Sequence, residues 1–336
     1  MGGVFFLVII FFWGLFSCSY LSRVKERDGK ILYYIALSLL ILITGFRYNF
    51  GFDYPQYLNM IEEGGFDGIE YWHILLMSLS NKLGWANLYF LITSSLILLF
   101  YFSGDRKVSY RVKNITLLFF VIYPLGYIES ISILRQYISI ACFIFVWNRN
   151  KVDLLSVIAF VIGLLSHFSF LIAMPFYILR FIKIKPNYTI YLITGVGGYF
   201  FIKYLLLYLI NNYAYFSFYN SFDKSGYLLT LSSLLIPIVC IVIIISSKNE
   251  SYYPECNLMF LGVVLFFVLS FFNVQMSRLA YYPLLISPFV IAKLSIERPL
   301  LKWFCLIFFF GTLCFRFFLS YQLPYDYLNN FEIKIK

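Results

Sequence analysis

Four short clusters in this sequence hold residue types able to do chemistry. The first is Arg47-Tyr48-Asn49-Phe50-Gly51-Phe52-Asp53-Tyr54-Pro55-Gln56-Tyr57, where an arginine, an aspartate and three tyrosines crowd a segment punctuated by Gly and Pro. The second runs from Glu129 to Arg135-Gln136, the third is Ser166-His167-Phe168-Ser169, and the fourth sets Ser277-Arg278 just before Tyr281-Tyr282. A guanidinium fork binds anionic oxygens, bidentately where the geometry permits, and aromatic faces suit stacking on sugar rings. Each residue also has a plainer reading. Arg47, Arg135 and Arg278 could anchor helix ends to lipid phosphates within a tyrosine belt. His167 could be a hydrogen-bonded residue at a helix break. Asp53 could pair with Arg47 or cap a short helix, and His73 reads as surface decoration.

The elements that position these clusters belong to a membrane. The 336 residues are 62% hydrophobic and 12% charged, with mean hydropathy +0.83, which excludes a soluble globule with a polar surface. A bilayer crossing takes about 20 apolar residues, and each crossing segment must satisfy its own backbone hydrogen bonds, so runs of that length mean helices. The expected architecture is an all-α, polytopic integral membrane bundle of about 12 transmembrane helices, a single membrane domain over 1–336. The spans fall near 3–21, 30–46, 86–103, 114–128, 131–147, 153–166, 168–182, 188–210, 227–246, 257–273, 278–295 and 300–319. No basic stretch precedes the first run, so it reads as a permanent span and not a cleaved signal. His167 and Pro175 interrupt what could be one long kinked helix. The segment 71–83 is too short to cross. Its Trp72, Leu75, Leu76, Leu79 and Leu83 fall at helical spacing, which predicts a short interfacial helix inside an outward loop at 47–85.

Most of the 26 basic residues lie in loops after odd-numbered spans. By the positive-inside rule those loops are cytoplasmic and both termini face outward. The net charge of +10 is then a topology signal and no nucleic-acid footprint, because the charges are dispersed over short loops. Cys18, Cys142, Cys240, Cys256, Cys305 and Cys314 are scattered without a CxxC, so neither a metal site nor a disulfide framework is expected. The chain shows no Walker A and no GxGxxG motif, and its two histidines are far apart in sequence, which argues against a metal centre. The odd polar residues choose one side: Arg47, Asp53, Tyr54, Glu129, Arg135, His167 and Arg278 all fall on the outward face. Arginines gathered on the face with the fewest basic residues run against the topological bias, and an anionic partner accounts for them best.

Arg47, Gly51, Asp53, Tyr54 and Tyr57 form an Arg-x-x-x-Gly-x-Asp-Tyr-x-x-Tyr pattern that resembles the signature loop of EpsG-type exopolysaccharide polymerases, relatives of the Wzy polymerases that build O antigen. The resemblance continues along the chain. Arg135-Gln136 matches an Arg-Gln pair opening a middle span, and His167-Phe168-Ser169 matches a His followed shortly by Ser. Arg278 with Tyr281-Tyr282 matches an Arg before an aromatic pair. Pro324-Tyr325 echoes a late Pro-Tyr, although Asp326 stands where a basic residue is often found.

The resemblance implies a C-type glycosyltransferase-like fold in the bacterial plasma (inner) membrane. Its implied activity is a polymerase that joins undecaprenyl-pyrophosphate-linked oligosaccharide repeat units on the outer face. Under it, Arg47, Arg135 and Arg278 bind pyrophosphate, and Tyr54, Tyr57, Gln136, Tyr281 and Tyr282 line the substrate. His167 or Asp53 serves as the base, His167 preferred because imidazole titrates near working pH. No metal and no cofactor are expected. The partners are undecaprenyl-pyrophosphate-linked glycans, membrane lipids and, in some systems, a chain-length-regulating membrane protein. An O-antigen ligase shares the donor and the arginine logic. A flippase or transporter of lipid-linked sugars would instead show charges along a central cavity and pseudo-symmetric halves. Neither the sugars, the linkage, nor O antigen as against capsule or exopolysaccharide is encoded in these residues.

Overall fold

The computed structural model describes residues 25–48, 50–51, 53–65, 68–104, 108–149, 152–212, 234–247, 250–270, 274–322 and 332–333. The chain is helical, and it divides into two compact units: residues 1–172 with 291–336, and residues 173–290.

In the first unit, α1 (Glu26–Gly45) leads through the short strand β1 (Arg47–Tyr48) into α2 (Tyr54–Glu63) and α3 (Tyr71–Lys82). There follow α4 (Asn87–Ser103), α5 (Tyr110–Ile122), α6 (Tyr127–Ser132), α7 (Leu134–Asn148), α8 (Leu154–Ser166) and α9 (Ser169–Ala173). At the centre lies α7, which packs on α4 and α8, while α1 packs on α4 and α5. Nearly every residue of α7 is buried. The face that α8 turns inward is a stripe of small residues, Ser156, Ala159, Gly163 and Ser166, with Ser139 Oγ donating to the Gly163 carbonyl across it at 2.7 Å. Small side chains let helix backbones approach where lipid supplies no hydrophobic drive. Correspondingly, α8 exposes Val157, Ile158, Val161, Leu164 and Leu165.

The second unit contains a 3₁₀ segment (Met174–Phe181), α10 (Tyr188–Asn212), α11 (Leu235–Ser247), α12 (Tyr253–Ser270), α13 (Val274–Ser277), a 3₁₀ turn (Arg278–Ala280) and α14 (Tyr281–Leu284). Its hub is α12, packed by α10, α11 and the turn that carries Arg278. Tyr191 donates to Asn257 Oδ1 at 2.6 Å and Asn257 Nδ2 to the Ile184 carbonyl at 3.0 Å, a polar tie between α10 and α12. An apolar cavity of about 400 Å³ lies between the same two helices, lined among others by Gly195, Tyr199, Val264 and Phe267. After α15 (Ser287–Glu297), the chain returns to the first unit with α16 (Pro299–Gln322), which packs on α5. The strand β2 (Glu332–Ile333) then pairs antiparallel with β1, Ile333 opposite Arg47. Pro324-Tyr325 and Asp326 lie outside the described residues.

The expectation of about twelve spanning helices is corrected. Among the described residues three helices are long and apolar enough to cross a membrane: Glu26–Gly45, Glu250–Ser270 and Arg278–Glu297. The cause is where the backbone breaks inside apolar runs. The run at 114–128 ends as a helix after Ile122, before Tyr123-Pro124. The run at 131–147 yields the 15-residue α7, whose start is set by a break at Ile133 (φ −116, ψ 59). The run at 153–166 gives only 13 residues, and 168–182 is one α-turn continued as 3₁₀ from Met174, with Pro175 at its start. Hydropathy records composition; helix length is decided by proline and by the residues that end each turn. The run at 3–21 lies outside the described residues.

Candidate functional site

The sequence-predicted loop begins where α1 ends. Arg47 is 1% exposed, and each of its guanidinium nitrogens donates to a backbone carbonyl. Nε reaches Phe50 at 3.0 Å, Nη1 Thr44 at 2.9 Å and Nη2 Ile131 at 3.1 Å. Two of those carbonyls sit in the last turns of α1 and α6, where helix geometry leaves acceptors unsatisfied and favours a cation. The guanidinium also lies over the Phe90 ring at 4.7 Å and the Tyr54 ring at 5.7 Å, while Tyr54 stacks on Phe90. Burial pushes Arg47 down to about 10, opposed by Tyr127, Tyr54, Tyr89 and Tyr57, so it stays charged at neutral pH. Gly51 makes this closeness possible: its φ is +105, and a Cβ there would stand 2.9 Å from the Ile131 carbonyl.

Arg135, at the start of α7, is bound differently. Its Nη1 pairs with Glu70 Oε2 at 2.6 Å, with both side chains about a quarter exposed. Its Nε donates to the Tyr57 hydroxyl at 3.2 Å, and that hydroxyl donates in turn to Asp53 Oδ2 at 3.4 Å. Asp53 occupies the N-cap position of α2 without making a side-chain capping bond. One cation thus sits between two carboxylates, one bonded directly and one through a phenol. Burial, then the Asp53 charge, raises the Tyr57 hydroxyl well above its ordinary range, with Arg135 opposing. Tyr57 is therefore neutral throughout the physiological range.

His167 stands at the break between α8 and α9. Its Nδ1 lies 2.6 Å from Ser169 Oγ and accepts from the Ser169 amide at 3.1 Å. An amide N–H can only donate, so the neutral ring carries its proton on Nε2. Gln136 is buried on α7. Arg278 is half-buried in the second unit, with Tyr281 and Tyr282 fully buried just after it. The first unit thus brings together Arg47, Asp53, Tyr54, Tyr57 and Arg135.

Two residues of this cluster escape a reading of the sequence. One is Glu70, the carboxylate on Arg135, which precedes the first turn of α3. The other is His73, and its expected role as surface decoration is corrected: it is 0% exposed. The apolar stripe of α3 is the outer one, with Tyr71, Leu75, Leu79 and Leu83 exposed, and His73, Leu76, Met77 and Ser80 turned inward. His73 Nδ1 meets the Tyr89 hydroxyl at 3.0 Å. Its Nε2 is buried without a hydrogen bond of good geometry, and Ser166 Oγ at the end of α8 is buried without a partner. Burial, then Arg135 and His167, push His73 down to about 3, opposed by a marginal hydrogen bond between the ring and the Ser166 backbone. A buried polar atom left unpaired costs about 1–3 kcal/mol, so two on adjoining helices need a reason. Among the described residues no group of three or more His, Cys, Asp or Glu could hold a metal ion.

Comparison with known proteins identifies a family. The model of the EpsG family covers residues 30–331. No curated protein and no solved structure matches the chain.

Proposed function

The chain belongs to the EpsG family and is a glycosyltransferase that polymerises lipid-linked oligosaccharide repeat units; on that premise we propose that the cluster around Arg135 carries the transfer. The observation that carries the reading is the partly exposed guanidinium held between Glu70 and the Tyr57–Asp53 pair. The donor is a glycan on undecaprenyl pyrophosphate, and the acceptor is a sugar hydroxyl of the next lipid-linked unit, both at the outer face of the bacterial plasma membrane. The acceptor oxygen forms a bond to the anomeric carbon as the bond from that carbon to the pyrophosphate oxygen breaks. The electron pair leaves with the pyrophosphate, and the hydroxyl proton passes to a base.

Arg135 meets the charge that grows on the leaving group, where a fixed fork acts most strongly. Its Nη2 carries no hydrogen bond to a described residue and is the first contact; Nη1 joins when Glu70 yields to a competing anion. Asp53 is the base, because it is a carboxylate already hydrogen-bonded within the cluster. His167 carries its proton on Nε2 and serves as a donor to substrate oxygens. Arg47 holds the loop in place for Asp53 and Tyr57. Gln136 and Tyr54 complete the lining. The polymer is O antigen, with capsule or exopolysaccharide as the other products of such chemistry, and a chain-length-regulating membrane protein is a partner in the first case.

The test is polymerisation by purified protein on lipid-linked repeats. Arg135→Ala is expected to lower the rate on the order of 10²–10³-fold, the loss typical of a transition-state contact, at unchanged protein level. Arg135→Lys should recover part of it, because the ammonium keeps the charge without the fork. Wild-type chain lengths from Arg135→Ala would reduce the cluster to a helix anchor.

A further inference from the structure

We propose that His73 Nε2 and Ser166 Oγ form a recognition site for one sugar hydroxyl of the lipid-linked repeat unit, beside the transfer site. The inference rests on the reading of Arg135 above. Both residues are 0% exposed; Ser166 Oγ has no hydrogen-bond partner, and His73 Nε2 makes no hydrogen bond of good geometry, its remaining contact being a marginal one to the Ser166 backbone. They come from different helices, α3 and α8, that pack on each other, and the His73 ring abuts the Ser166 backbone.

The ring is held in place on its other side. Tyr89 is fully buried, and its hydroxyl meets His73 Nδ1 at 3.0 Å. When that hydroxyl donates, the neutral ring presents Nε2–H as a donor, and the Ser166 hydroxyl beside it can accept or donate. A donor and a two-way hydroxyl match one alcohol, which itself gives one hydrogen bond and accepts up to two. They match an anion poorly, because two neutral groups bring no charge. The imidazole stays neutral because it is enclosed beside Arg135 and His167, so the donor is constant with pH.

Location ties the pair to the reaction. Ser166 adjoins His167, which is half-exposed, and His73 lies within electrostatic reach of Arg135. A hydroxyl seated here would fix the sugar ring while its neighbour meets the base. Sites that bind a hydroxyl through otherwise unpaired polar atoms reject analogues that lack it, since the cost of the empty atoms returns.

A stability–function split tests the inference. Ser166→Ala removes an unpaired buried oxygen and breaks no hydrogen bond, so thermal stability of the purified protein should hold or rise. Polymerisation is measured on lipid-linked repeat units isolated from a strain lacking this gene. The variant should show kcat/KM about 10-fold lower, a single hydrogen bond's worth, mostly through KM. His73→Gln, which keeps an amide donor on a shorter reach, should show a loss of the same kind. Unchanged kinetics with raised stability would mean that the two atoms are merely left over. Unchanged kinetics with lowered stability would mean that they hold a structural water. Either result overturns the proposal. Arg135→Ala, run alongside, separates the two readings: full activity there with a Ser166→Ala defect would discard the transfer assignment and keep the hydroxyl site.

Discussion

Two polar regions of the first unit are built on opposite principles. At the break between α6 and α7, Arg47 is fully buried and all its donors end on backbone carbonyls. Where α3, α7 and α8 meet, Arg135 is partly exposed and bonded to side chains that ionise or rotate, and two buried atoms make no hydrogen bond of good geometry. A donor fixed on the last carbonyl of a helix cannot be released without leaving that helix end unsatisfied. A donor on a carboxylate or a phenol can be exchanged for a ligand oxygen at little structural cost. Two arginines that read alike as anion-binding candidates in the sequence are therefore held differently: one is committed to backbone, and the other is the one we propose to hold substrate.

The largest expected effect lies on the backbone side. Arg47→Ala removes three hydrogen bonds from a charged donor and leaves the Thr44, Phe50 and Ile131 carbonyls buried. Bonds to charged groups are worth about 1.5–3 kcal/mol each and do not add fully, so a loss on the order of 3–5 kcal/mol is expected. That exhausts much of a typical stability, and the variant should accumulate poorly or melt far below wild type. Arg47→Lys should fare little better, because one ammonium cannot span three divergent carbonyls. A variant that is stable yet inactive would break the comparison and return Arg47 to the pyrophosphate.

The substrate side should show the reverse pattern, activity lost with stability kept. Within it, the two base candidates are separable. Asp53→Asn is expected to lower turnover about 10²–10⁴-fold, the range for removing a positioned base, with melting close to wild type. His167→Gln should lose less, because an amide also donates a hydrogen bond. If His167→Gln is the dead variant and Asp53→Asn remains active, imidazole takes the proton after all and the Ser169 contact must open during turnover. A smaller effect concerns metal: turnover should survive chelator. Loss in chelator with recovery on Mg²⁺ or Mn²⁺ would recast Asp53 and Glu70 as ligands.

How legible this was in the sequence divides along the same line. The Arg47–Tyr57 segment announced itself, because polar residues with Gly and Pro stand out in hydrocarbon, and Gly51 falls where the turn needs a positive φ. The family was legible only as a resemblance, in short motifs from Arg47 to Tyr325 similar to those of EpsG-type polymerases, and the EpsG family model matches residues 30–331. The span count did not, since apolar runs do not show where a helix stops: Ile133, Pro124 and Pro175 cut them short. His73 was hidden by a rule that inverts in lipid. On a soluble helix the apolar stripe of α3 would face the core; here Leu75 and Leu79 face out and His73 faces in. Glu70 gave no signal, because its pairing with Arg135 joins residues 65 apart in sequence.

The smallest expected effect sharpens the comparison through acid stability. Arg47 is buried with its charge satisfied, and it remains protonated at any mild pH, so it contributes no pH dependence there. His73 is buried and neutral, near Arg135 and His167, with Tyr89 on its ring and Tyr57 beyond. Its ordinary value of about 6.5 falls to about 3 in the folded protein. Above pH 6.5 neither state holds the proton, and stability is unaffected. Between 6.5 and 3 the unfolded chain binds a proton that the native protein refuses, so stability falls as pH falls. The slope is about 1.4 kcal/mol per pH unit, or about 2 kcal/mol lost at pH 5. Thermal melting of the purified protein at pH 7 and pH 5 should show that drop, and His73→Gln should flatten it. Ser166→Ala leaves the ring buried and should keep the wild-type slope. An equal acid drop in His73→Gln would mean that the imidazole is hydrated in the working protein, and the contrast between a sealed histidine and an open arginine would fail.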